Sequence, residues 1–170
     1  MELDVLAPLR IQLLGDFRIQ VGERAIAAEA WRLRAAALLV KLLALEPSHR
    51  LHHEQLMETI WPEALPEDAG RNLRYALHAA RRVLAPAGTA NGGYLQRTGQ
   101  WLLLEPGDEG SVDVADFEAA ALAARQSPDI ERYAQALGLY GGDLLPGDRY
   151  EERFATRRFA LRLIPAGRAS

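Results

Sequence analysis

The hydrophobic period of this chain changes twice, and the order of the changes leaves few folds open. Over 9–14 (LRIQLL) and 17–21 (FRIQV), split by Gly15-Asp16, apolar and polar residues roughly alternate. Gly22-Glu23 then turns the chain toward 24–26. Alternation punctuated by turn residues predicts a small antiparallel sheet. Over 31–45 the spacing becomes helical, with Leu38, Leu39, Leu42 and Leu43 on one broad face, until Pro47 ends it. A short second helix is predicted over 52–60, with Leu56 and Ile60 inward. The acidic stretch PEALPEDA (62–69) reads as a loop, and Asp68 as the N-cap of a third helix over 70–84. Pro86, Gly88 and the NGG run at 91–93 break the chain. Residues 94–97 and Trp101–Leu104 then read as a hairpin through Thr98-Gly99-Gln100. Sheet, three helices and hairpin, in that order, is the layout of a winged helix-turn-helix with extra strands at its N-terminus. The fold class expected is therefore mainly α with small β elements.

A linker, EPGDEGS at 105–111, precedes a shift in composition. An alanine-rich helix starts near Asp113 and Asp116, read as a capping pair, and carries Phe117, Ala120, Ala121 and Ala124. A second helix is expected over 129–140. GGDLLPGD forms a turn in which Asp143 and Asp148 are ordinary turn residues, and a third helix spans 148–163 before a tail, RLIPAGRAS, without helical pattern. This gives two expected domains, 1–106 and 107–170. The third helix of the second part sets Tyr150, Phe154, Phe159 and Leu161 among charged residues, so it must fold back on 113–140, pair with a second copy or stay partly open.

The net charge of −3 looks unpromising for a nucleic-acid binder, but the excess of acid is uneven. Residues 1–106 hold 12 Lys/Arg and 12 Asp/Glu, whereas 107–170 hold 8 and 11. What matters is whether positive charge gathers on one surface. On a helix over 70–84, Leu73, Ala76, Leu77, Ala80 and Leu84 share one narrow face. Arg71, Tyr75, His78 and Arg82 fall opposite, flanked by Arg74 and Arg81, and no acid interrupts them. A stripe of one sign is unusual, because surfaces normally mix charges. It suits the major groove of double-stranded DNA, which admits one helix and where arginine reads guanine or grips phosphate. Arg97, in the expected wing, is placed to reach a phosphate or the minor groove. The bland alternative is a solvated basic face with no partner. The two preceding helices and the following hairpin weigh against it, since together they reproduce a known docking geometry.

The segments LRIQLLGDFRIQVGERAI, LLVKLLALEPSHRLHHEQLMETIWPE, NLRYALHAARRVL, YLQRTGQWLLLEP, VDVADFEAAALAAR and LYGGDLLPGDRYEERF carry a resemblance across residues 9–162. In their order and spacing the chain resembles bacterial regulators of the Streptomyces antibiotic regulatory protein (SARP) type. These join an OmpR-like winged helix to a bacterial transcriptional activator domain. The resemblance implies that the 70–84 helix is the recognition helix, with Arg71, Asn72, Arg74, His78, Arg81 and Arg82 facing DNA. It implies a tetratricopeptide-like start to the activator domain in the second part, used for dimerisation, signal transmission and contact with the transcription machinery, RNA polymerase included. The sequence departs from the family pattern at His53, where arginine is expected, and at Ala80, where leucine is usual. The activator domain is also far shorter than the family's, as in a truncated or minimal member.

Other chemistries find no support in the residues. There is no cysteine, which excludes disulfides and thiolate-bound metals. His52-His53-Glu54 lacks the four-residue histidine spacing that a helical zinc site needs. GTANGG lacks the Lys-Ser/Thr ending of a phosphate loop. No nucleophile, acid–base pair or cofactor motif emerges, so a non-enzymatic protein without metal or cofactor is expected. No apolar run reaches membrane-spanning length, and the acidic N-terminus is unlike a secretory signal, making the cytoplasm the expected compartment. Two readings stand beside DNA binding. One is a protein–protein interaction module of a signalling system, whose arginine face meets an acidic partner. The other is a degenerate remnant of a larger regulator.

Overall fold

The computed structural model describes residues 6–85, 93–127, 129–148 and 151–166. Pro86, Gly88, Asn91 and Gly92 of the expected break, and Tyr150, lie outside the described residues. The chain runs β1 (Leu9–Gln12), β2 (Arg18–Val21), β3 (Arg24–Ala25), α1 (Arg34–Leu45), β4 (Arg50–His52), α2 (His53–Ile60) and α3 (Pro66–Leu84). It continues through β5 (Leu95–Thr98), β6 (Trp101–Leu104), β7 (Ser111–Val112), α4 (Asp113–Gln126), α5 (Ile130–Leu139) and α6 (Glu152–Ala166). The described strands form a sheet of order β3-β2-β1-β7 and a sheet of order β4-β6-β5. The architecture is mainly α with small sheets, as the periodicity predicts.

Two compact units emerge, one of residues 1–10 and 20–110, the other of residues 11–19 and 111–170. The core of the first is built from the inward faces of its three helices. Leu38, Leu39 and Leu43 of α1, Leu56 of α2, and Leu73, Ala76, Leu77, Ala80 and Leu84 of α3 are all buried. Leu95, Leu102 and Leu104 close it from the sheet, and the Tyr94 hydroxyl donates to the carbonyl of Ala7. Ala80 is fully buried, so this small side chain belongs to the contact face of a helix that packs on α1 and α2. β4 pairs antiparallel with β6 (Leu51 opposite Leu102), turning the hairpin into a three-stranded sheet.

Helix α3 begins four residues earlier than the sequence predicts. Pro66 occupies its first turn, where a missing N–H is no loss, and Leu65 is the cap position. Asp68 is therefore inside the helix rather than capping it. With Glu67 it sets negative charge against the positive end of the helix dipole. The helix as a whole is thus not acid-free; only the portion from residue 70 onward is.

In the second unit, the capping role expected for Asp113 gives way to a longer-range one. Val112 is the N-cap of α4, and the Asp113 carboxylate accepts the backbone N–H groups of Leu13 (2.8 Å) and Leu14 (2.9 Å). Burial raises the pKa of this carboxyl, opposed by those backbone hydrogen bonds. The same stretch is held again where Gly15 N–H donates to Asp143 O (2.9 Å) and Leu145 N–H to Leu13 O (2.8 Å). Gly15 has φ +97°, and a Cβ there would lie a tight 3.1 Å from Gly141 O, so backbone conformation and space both favour glycine.

Helices α4 and α5 pack through small residues, with Ala121, Ala124 and Ala136 buried beside Phe117. Helix α6 starts at Glu152 and runs to Ala166, later at both ends than expected. Of its apolar residues, Phe154 and Leu161 are buried inside the unit while Phe159 and Leu163 remain exposed. The helix is tied down by polar contacts. Arg157 pairs with Glu118, and buried Arg158 donates to the carbonyls of Leu144 (2.7 Å) and Leu145 (3.0 Å). Arg162 Nε donates to Asp143 (2.7 Å), which holds that carboxyl below its ordinary pKa. Asp143 is thus an ion-pair anchor and not merely a turn residue.

Candidate nucleic-acid interface

The geometry of α3 follows from its apolar stripe. Once Leu73, Ala76, Leu77, Ala80 and Leu84 are committed to the core, a turn of 100° per residue leaves the opposite positions no choice. Arg71, Arg74, Tyr75, His78 and Arg82 are all exposed there. Tyr75 is 69% exposed, a large aromatic left in water in the middle of a cationic face. Asn72 is half-buried at the edge of the stripe. Arg71 also faces Asp68 one turn back (3.7 Å), an exposed pair that contributes little and yields readily to a phosphate.

Arg81 differs from its neighbours. It is half-buried, and its Nε donates to the carbonyl of Leu95 (3.1 Å). The residue straps the first strand of the hairpin to α3, which leaves it less free to grip a ligand. Its pKa is lowered by burial and, secondarily, by the charge of Arg97.

Arg97 is exposed on β5, opposite Leu102 and next to the turn in which Gly99 adopts φ +62°. Its charge is felt at Arg81 and at His53, whose own pKa is lowered by burial, then by His52 and Arg97. The wing arginine therefore lies within electrostatic reach of both α3 and the start of α2. The arginines of α3 and β5 thus repel one another in the free protein, with Glu54 beside His53 (4.0 Å) and Asp68 beside Arg71 as partial offsets, and a polyanion would relieve what remains.

The structure adds a group that the sequence reading passes over. Arg50 of β4 lies over the Trp101 ring, 4.1 Å from its centroid, and His52 meets the same ring edge-on at 5.3 Å. The available signal was period two: Trp101 alternates with buried Leu102 and Leu104, so it faces away from the core. Without β4 in the sheet, nothing pointed to its partners.

No family model and no characterised protein sequence matches the chain. Among solved structures it is similar to that of Mycobacterium tuberculosis EmbR in complex with low affinity phosphopeptide, with a TM-score of 0.68 and 20% sequence identity. The likeness covers 94% of this chain and 43% of that one, so the chain spans less than half the length of that protein. The chain has the fold of the EmbR portion it aligns with, mainly α with small sheets and winged-helix-like in its first unit.

Proposed function

We propose that the chain is a sequence-specific double-stranded-DNA-binding regulator of transcription, of the SARP type, acting in the cytoplasm without catalysis. One observation carries this reading: the exposed face of α3, with Arg71, Arg74, His78 and Arg82 around Tyr75, on the helix that precedes a wing bearing Arg97. In this mechanism α3 enters the major groove. Its arginine forks meet guanine O6 and N7 or phosphate oxygens, and Tyr75 offers an apolar contact to a thymine methyl. Arg97 engages the neighbouring backbone or minor groove. Arg81 chiefly holds the wing against the helix. The second unit is assigned as the tetratricopeptide-like beginning of an activator domain. RNA polymerase and a second copy of the chain are its proposed partners, the latter matching repeated half-sites on one duplex. No described helix is long and apolar enough to cross a membrane.

Genome-wide occupancy of the tagged native chain, compared with a chain carrying Arg71→Ala, Arg74→Ala and Arg82→Ala, tests the proposal. Discrete sites that vanish with the triple substitution are expected. Occupancy without discrete sites, or sites unaffected by the substitutions, argues against sequence-specific reading by this face. Capture of an acidic protein in place of DNA would favour the interaction-module alternative.

A further inference from the structure

The histidine pair at 52–53 has no part in the proposed DNA contacts, yet its bonds join the wing turn to the start of α2. His52 Nδ1 accepts the backbone N–H of Glu54 (3.2 Å), while Gln55 Oε1 accepts the N–H of His52 (3.2 Å), a reciprocal cap on α2. An accepting Nδ1 leaves the ring proton on Nε2. That nitrogen lies 3.0 Å from Gln100 Oε1, to which it donates. Gln100 sits in the turn of the wing, between Gly99 and Trp101. Its backbone carbonyl is held as well, by the N–H of His53 at 2.8 Å. The wing turn is therefore fastened to the first turn of α2 at a main-chain and a side-chain atom of one residue. Arg97 lies three residues before that fastening point.

We propose that His52 is a positioning residue of the interface. It clamps the wing turn to helix α2 and so holds Arg97 at a fixed place beside the recognition helix. The use of the clamp rests on the DNA-binding reading; the clamp itself does not. A hairpin fixed only through its strands would lose freedom on binding, and prior fixation removes that cost from the affinity. Histidine is suited to the position because its two ring nitrogens, one carbon apart, bond in widely diverging directions from a rigid ring. One can cap the helix while the other reaches the turn. Asparagine caps a helix as well but is too short to span both partners.

This difference supplies the experiment. Gln100→Ala removes the acceptor and leaves the cap intact; His52→Asn keeps a capping side chain and loses the reach. In the DNA-free protein, both variants are expected to show faster hydrogen exchange at the amides of residues 98–101, with exchange in α3 unchanged. On a duplex selected by the native chain from a random-sequence pool, both should bind roughly three- to tenfold more weakly, the effect of one modest hydrogen bond. The salt dependence of binding should stay that of the native chain, because no phosphate contact is lost. Arg97→Ala should instead make the log–log slope shallower by about one. Unchanged exchange in the wing of both variants overturns the clamp. Faster exchange with native affinity overturns its role in binding. A native chain that selects no duplex contradicts the DNA-binding reading itself, and the exchange measurement then still decides whether the clamp exists.

Discussion

Replacing Arg74 or Arg82 by alanine is expected to weaken binding to the cognate duplex by about 1–3 kcal/mol for each arginine that reads a base. That corresponds to roughly five- to 150-fold in affinity. Both side chains are exposed on the face of α3 opposite its buried stripe, so their removal takes nothing from the core. Stability should stay within about 0.5 kcal/mol of the native protein, as for most surface substitutions. Arg125→Ala, near the end of α4, serves as the control for a loss of positive charge alone, and should bind as the native chain does. Gel-shift titration of the three variants decides the matter. Equal binding by all three would remove α3 from the interface.

Leu56→Ala and Leu77→Ala should each destabilise the first unit by about 2–5 kcal/mol. Leu56 is the one fully buried side chain of α2 and Leu77 lies in the middle of the α3 stripe, 4% exposed. Truncation leaves a cavity as well as losing apolar burial, since helices tied into sheets and turns cannot collapse freely around it. For a unit of this size each kcal/mol lowers the melting temperature by roughly 4–8 °C, so the shift should be plain in a thermal scan. A melting temperature unchanged by either substitution would mean that the inward faces are wrongly assigned.

How much of this was legible in the sequence depended on the length and range of each signal. Helices of eight residues or more announce themselves by period, and the buried stripe of α3 is legible from Leu73 to Leu84, with buried Ala69 missed in the stretch expected as a loop. The two-residue β7 and the three-residue β4 are too short for alternation to register, and β4 set the surroundings of Trp101. Pro66 reads as a loop residue because proline ends helices more conspicuously than it begins them, which hides the first turn of α3 from the sequence. Asp113 binds amides 100 and 99 residues away, and no local pattern encodes such a partner. Arg81 stood on the flank of the cationic stripe, where a small rotation decides between solvent and the Leu95 carbonyl; the sequence alone does not resolve that choice. The exposed cationic positions were easier to read, because the core fixes them by exclusion.

The most direct measurement is the salt dependence of duplex binding by the native chain. About three to four phosphates engaged by α3 and the wing predict a log–log slope near −3. The slope should become shallower when Arg71, Arg74 and Arg82 are replaced together, by about one for each of them that contacts a phosphate. Binding that is indifferent to salt, or that survives the triple substitution with the same slope, would contradict recognition of DNA through this face.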